Sequence, residues 1–247
     1  MAKSLRMVHA SGNTFMSLAR TKSDVGRLVD LSPAAQWITL TECGELDTIR
    51  AISRFLQKID APYNVFNPDR GDIAFLVHHD VRLVDGGGPL AIPGKPGPAS
   101  DGGHGPRHNS WAKLGWKDET IFANGVHFVT FFVNGGNRGD EQVHQAELMA
   151  SQMHDQARSR NLAIGSGDLN GQLPNRHDLQ EIWDAHGMTT TAKETGDMTG
   201  THGRARIDYV WTMDQDHRVS VDDMKVLKST KFESDHDPIV VDLTIRF

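Results

Sequence analysis

The C-terminal stretch is the strongest constraint on what this chain can fold into. Ile239, Val241, Leu243, Ile245 and Phe247 alternate strictly with Val240, Asp242, Thr244 and Arg246. Successive side chains of a strand point to opposite faces, so this pattern predicts a β-strand with one buried face. Asp72 to Val77 and Phe128 to Val133 are instead continuous apolar runs, as expected of central strands covered on both faces. Further strands are read at Leu5 to Ala10, Trp37 to Thr41, Leu162 to Gly165 and Arg206 to Thr212. In the last of these, Ile207, Tyr209 and Trp211 share one face and Asp208 takes the other.

Helical patterns separate these runs. Leu46, Ile49, Ile52, Phe55, Leu56 and Ile59 recur at helical spacing, which predicts an amphipathic helix over Glu45 to Ile59 packed on a sheet. Phe15 to Leu31 carries another helix. So does Gly139 to Arg160, with Val143, Ala146, Ala150 and Met153 on one stripe. Gly86 to Arg107 is rich in Gly and Pro and holds almost no apolar periodicity, so it is read as a long surface loop.

A chain of 247 residues with 38% hydrophobic content can bury a substantial core. With no internal repeat and no linker, it reads as one domain over residues 1–247. Cys43 is the single cysteine, so no internal disulfide can form, which fits a reducing compartment. Met-Ala-Lys-Ser-Leu-Arg at the start is followed by no sustained apolar stretch. The expectation is therefore no secretory signal, no transmembrane span, no stable membrane association and a cytoplasmic location. The formal charge of −6 argues against a non-catalytic nucleic-acid-binding module, which would usually be basic. It argues less against a nuclease, because clustered metal-binding carboxylates make the bare protein acidic.

Four segments place a polar or acidic residue at the end of, or within, an apolar strand. They are Thr41-Glu42, Gly167-Asp168-Leu169-Asn170, Arg206-Ile207-Asp208-Tyr209 and Ser234-Asp235-His236-Asp237-Pro238. Strand ends of one sheet gather in space, so these would bring three or four carboxylates, an Asn and a His into one small volume. Like charges at that density repel unless a cation sits among them. Hard oxygen ligands suit Mg²⁺ or Mn²⁺ and not zinc. The residues alone thus point to a divalent-metal phosphoryl-transfer site.

In order and form, these segments resemble the endonuclease/exonuclease/phosphatase superfamily, which includes deoxyribonuclease I and the exonuclease III-like abasic-site endonucleases. The resemblance runs from about residue 5 to the C-terminus. It also takes in an early Asn after the first strand, here Asn13. It implies an α/β fold: a four-layered α/β/β/α sandwich of two mostly antiparallel sheets flanked by helices, with the site at one end of the paired sheets. It also implies roles. Glu42 would be the principal metal ligand, assisted by Asp235 and Asp168, and Asn13 would orient these side chains. Asp168 would position or deprotonate the attacking water, and Asn170 would hold the scissile phosphate. His236, fixed by Asp208, would donate to a phosphate oxygen or assist the nucleophile.

Many members of that family carry a His or Tyr just after the strand that precedes the long helix. The corresponding stretch here, Phe131 to Asn137, has neither. His127 begins the predicted strand and would lie roughly 20 Å from its far end, at about 3.3 Å per residue, which makes it a poor substitute. His104 or His108 from the loop could protonate the leaving group instead. His78-His79-Asp80 is read as surface, because adjacent strand residues face opposite ways. Cys43 is read as buried packing, since a thiolate nucleophile needs a base partner.

The expected activity is metal-assisted hydrolysis of phosphodiester bonds in nucleic acid, DNA ahead of RNA. The alternatives are a phosphatase or phosphodiesterase acting on a small molecule or lipid headgroup, and a catalytically weak module that binds phosphate-bearing partners.

Overall fold

The computed structural model describes residues 2–12, 17–44, 46–68, 72–92, 107–129, 132–133, 136–137, 139–159, 161–228 and 232–246. In chain order the elements are β1 (Ala2–Ser11), α1 (Leu18–Val29), β2 (Trp37–Thr41), α2 (Leu46–Lys58), β3 (Tyr63–Phe66), β4 (Ala74–His78) and β5 (Arg82–Ile92). They continue with β6 (Arg107–Trp116), β7 (Glu119–His127), the two-residue strands β8 (Phe132–Val133) and β9 (Gly136–Asn137), and α3 (Gly139–Arg158). The last are β10 (Leu162–Asp168), α4 (His177–Ala185), β11 (Met188–Thr190), α5 (Thr191–Thr195), β12 (Asp208–Met213), β13 (Val219–Val226) and β14 (Ile239–Arg246).

Two six-stranded sheets result, ordered β13-β14-β1-β2-β4-β3 and β11-β12-β10-β7-β6-β5. Pairing is antiparallel except for β1 with β2 and β10 with β7. Leu5, Met7, Trp37, Phe75, Val241 and Leu243 of the first sheet meet Leu114, Ile121, Ile164 and Val210 of the second, which closes the central core. On the outer face of the first sheet, Val8, Ile38, Leu40 and Leu76 pack against Val25 and Leu28 of α1 and Ile49, Ile52 and Leu56 of α2. Each such side chain contributes roughly 1.5–3 kcal/mol when fully buried. On the outer face of the second sheet, Phe122, Tyr209 and Trp211 pack against Met149 and Met153 of α3 and Trp183 of α4. The architecture is the four-layered α/β/β/α sandwich. No helix among the described residues is long and apolar enough to cross a membrane.

Two expectations are corrected. The strand of the second sheet before the long helix is β7, Glu119–His127; of the predicted run Phe128 to Val133, only Phe132–Val133 is strand among the described residues, in the small β8–β9 pair. The β7 sequence contains Asn124, Gly125 and His127, which hide it from an apolar scan, yet all three are buried. Asn124 donates to Ser110 O at 3.4 Å and also to Asn109, while a Cβ on Gly125 would lie 2.7 Å from Ile73 Cγ2. The loop expected over Gly86 to Arg107 is also shorter, because β5 runs on to Ile92 and pairs with β6 from Arg107. Gly86 and Gly87 belong to that strand because Phe66 and Trp111 fill the space where their side chains would stand. Residues 93–106, including His104, lie outside the described residues.

Candidate active site

All the polar strand ends converge at one end of the sandwich. Ser11, Thr41, His127 and Asp168 close β1, β2, β7 and β10, while Asp208 opens β12 and His236 precedes β14. Asp168 faces Asp208 on one neighbouring strand and His127 on the other.

Glu42 follows β2 in left-handed backbone, with φ 53, and Asn170 beyond β10 has φ 48. Non-glycine residues rarely adopt this conformation, and where they do it often marks a functional site. Ser11 Oγ donates to Glu42 Oε2 at 2.9 Å. The orienting contact on Glu42 therefore includes Ser11, at the end of the first strand, whereas Asn13 lies outside the described residues. Asp168 is buried; its Oδ1 accepts the Asn170 backbone N–H at 2.7 Å and its Oδ2 the Asn170 side-chain amide at 3.2 Å. The same Asn170 amide donates to Phe128 O at 2.9 Å. In this arrangement Asn170 orients Asp168, and it could donate to a phosphate only by giving up one of those bonds.

His127 is the residue that the sequence reading placed wrongly. Its Nε2 lies 3.7 Å from Asp168 Oδ2 and 3.8 Å from Glu42 Oε1. Its Nδ1–H donates to Asp72, and Arg107 Nη1 lies 3.6 Å from the same Asp72 carboxylate. His127 closes β7, the last strand of the second sheet before the long helix, and so stands at the site instead of at the start of a later strand. Burial would lower its pKa, but the Asp72 hydrogen bond and the Asp168 charge raise it overall.

On the other side, His236 Nδ1–H donates to Asp208 Oδ2 at 2.9 Å. Burial would raise the Asp208 carboxyl, yet hydrogen bonds from His236 and His9 hold it well below the ordinary carboxylate range. Burial would lower His236, yet the Asp208 hydrogen bond carries it up to about 9. Asp168, whose donors come from Asn170 and not from an imidazole, is pushed up to about 7 by burial and by the Asp208 charge. The pairs Asp72–His127 and Asp208–His236, and the approach of Glu42 to Asp168, each take one partner from each sheet. Closing the sandwich is what assembles the site.

Ligand atoms of Glu42, His127 and Asp168 lie within 4.8 Å of one another, as do those of Asp168, Asp208 and His236. The structure does not group Asp235 with Glu42 and Asp168. Asp235 stands on the rim, its Oδ2 3.5 Å from His202 Nε2, and joins His202 and His236 in a third such group. Cys43 is fully buried, donates to Leu40 O at 3.3 Å, and has its thiol pKa pushed well up by burial, so it is packing. His78 closes β4 at the opposite end of the sandwich, where it pairs with Asp80 at 3.5 Å.

The sequence reading missed Asp72, His127, Ser11, His9 and His202. Asp72 carried a usable signal, since Gly71-Asp72-Ile73-Ala74-Phe75 is another acid at the start of an apolar strand.

Solved structures carry this architecture over the whole chain. An endonuclease/exonuclease/phosphatase family protein from Bacteroides thetaiotaomicron superposes with a TM-score of 0.75 at 17% identity, covering 100% of both chains. The chain has the endonuclease/exonuclease/phosphatase fold. A mannosyl-6-phosphatase from Bacteroides thetaiotaomicron shares this fold with a TM-score of 0.74 at 16% identity, over 97% of this chain and 99% of that one. So does TDP2 from D. rerio complexed with a single-strand DNA product, with a TM-score of 0.72 at 15% identity, over 98% and 99%. No protein-family model and no curated protein matches the chain.

Proposed function

We propose that this chain is a divalent-metal-dependent phosphoesterase, and that its substrate is a nucleic acid phosphodiester, DNA ahead of RNA. One observation carries the reading. Two carboxylate–imidazole pairs, Asp72–His127 and Asp208–His236, flank Glu42 and Asp168 at the open end of the sandwich.

The donor set fits Mg²⁺ or Mn²⁺. Glu42 and Asp168 offer hard oxygens, and Asp168 carries a repulsion from Asp208 that a cation would relieve. Glu42 and Asp168 would hold the ion, and Asp235 could add a carboxylate from the rim. A divalent cation there supplies Lewis-acid polarisation of a phosphate oxygen. The chain's own groups account for the remainder. Asp168 accepts a proton from a water lined up against phosphorus. His236 presents a donor to a phosphate oxygen, its ring fixed by Asp208. His127, fixed by Asp72, would donate a proton to the leaving oxygen. The DNA-bound TDP2 structure supports the nucleic-acid reading. The mannosyl-6-phosphatase, with the same fold at similar identity, supports a small-molecule phosphatase as the second reading.

The test is cleavage of supercoiled plasmid and of labelled single- and double-stranded oligonucleotides, with phosphate release from sugar phosphates measured in parallel. Each is run with Mg²⁺, Mn²⁺ or EDTA, beside Asp168→Ala and His236→Ala. Metal-dependent cleavage lost in both variants is the expected result. Phosphate release from sugar phosphates alone would move the assignment to the second reading, and an inert wild type on every phosphoester would end both.

A further inference from the structure

Asp208 is contacted by two imidazoles, one on each carboxylate oxygen. His236 Nδ1 takes Oδ2 at 2.9 Å, and His9 Nε2 takes Oδ1 at 3.2 Å. His9 lies on β1, one row beneath the site, on the face that also carries Leu5 and Met7 into the core between the sheets. Its neighbours across the sheet are Thr39 on β2 and Ile239 on β14. A residue serving only to fill this row would be apolar, as Leu5 and Met7 are. Here the ring is 1% exposed, and its Nδ1 has no hydrogen-bond partner among the described residues. Leaving a polar atom buried and unpaired costs stability.

The pairing also sets which group donates. Ionised Asp208 can only accept, so Nε2 carries a proton and donates it to Oδ1. Thr201 Oγ1 accepts the Asp208 backbone N–H at 3.1 Å, so backbone and carboxylate are both held.

We propose that His9 is a positioning residue for the phosphoester reaction, its Nε2–H locking the Asp208 carboxylate in the orientation that aims His236 at the substrate. This rests on the phosphoesterase reading above. His9 never meets substrate; it acts through Asp208.

The decisive variant is His9→Met, which keeps the volume, matches the neighbouring core and removes the donor. Asp208 Oδ1 loses its buried donor, so the melting temperature should fall; kcat, read well below it on folded protein, should fall roughly 10- to 100-fold. KM should stay unchanged. His9→Gln, whose amide can donate to the same oxygen, should recover most of kcat. A His9→Met protein with wild-type kcat would overturn the assignment, and so would a His9→Gln protein no faster than His9→Met. Imidazole NMR gives an answer without turnover: the His236 Nδ1–H resonance should shift in His9→Met, and an unmoved resonance counts against the proposal. If wild type turns over no phosphoester, the reading above fails while this resonance still tests the contact.

Discussion

His127 Nε2 stands 3.7 Å from Asp168 Oδ2, with its opposite nitrogen donating to Asp72. An imidazole held this way can serve a proton transfer that an Asn at the same place could not. His127→Ala is therefore expected to lower kcat by about 10²- to 10⁴-fold, the usual contribution of a general acid or base. Asp72→Asn should cost less, because the ring stays and only its orientation and charge support weaken. Turnover of the best phosphoester substrate decides this, and full activity in His127→Ala would remove the residue from the mechanism.

The parts of the fold legible in the sequence were those where packing writes a period. The alternating β14 and the helical stripe of α2 are read directly, because each has one face buried on a core. What stayed hidden was β7, whose buried faces carry Asn124, Gly125 and His127. A strand whose buried polar side chains find partners on other segments leaves no apolar signature. The same holds for the site. Glu42, Asp168, Asp208 and His236 were legible from the strand-end pattern, and the structure brings them together. Ser11 and His9 were not, since each gains meaning only from a partner on a distant segment; Asp72, an acid at the start of an apolar strand, carried the same signal and was passed over. Gly86 and Gly87 read as loop because the reason for them, the rings of Phe66 and Trp111, lies outside their own stretch.

Asp24 of α1 ties down the segment that carries His236. Its carboxylate accepts the backbone N–H of Glu233 and of Ser234, each at 2.9 Å. Asp24→Ala leaves both donors without that partner, at about 1–3 kcal/mol apiece if they stay buried. In a chain of this size each kcal/mol lowers the melting temperature by about 2–4 °C. Thermal unfolding should show a loss of several degrees together with reduced turnover, and Asp24→Asn, which keeps one acceptor oxygen, should fall between. A melting temperature equal to wild type would mean the segment is held by other contacts.

Gly167 is required by the close approach of β7. A Cβ there would lie 2.2 Å from Val126 O and 2.5 Å from Val126 Cγ2. The first of these is backbone and cannot rotate away, so Gly167→Ala must push β7 outward and carry His127 from Asp168. The expected cost is about 1–3 kcal/mol or more, with turnover falling further than stability alone explains. Circular dichroism melts beside kinetics would test it, and an Ala variant with both properties intact would contradict the packing.

The pH dependence of stability should reveal the cation. Burial and the Asp208 charge hold Asp168 at about 7, above its unfolded value. A carboxyl raised in this way contributes stability while protonated: the contribution is complete below about pH 4 and is lost as pH rises through about 7. His236 works in the same direction. Despite burial, its bond to Asp208 lifts it to about 9, so its contribution is complete below about 6.5 and lost through about 9. Asp208 is depressed, so its contribution is already full across this window and is lost only in acid. The metal-free protein should therefore lose stability steadily from mildly acidic to alkaline pH. A cation held by Asp168 needs the ionised carboxylate and must displace its proton below about pH 7. The rise in melting temperature on adding Mg²⁺ should then be larger at about pH 8 than at about pH 5.5, in line with that titration. Asp168→Asn should flatten the loss that runs from about pH 4 to about 7 and remove most of the Mg²⁺ effect, leaving the His236 loss at higher pH. An equal Mg²⁺ shift at both pH values would mean that the ion binds without Asp168.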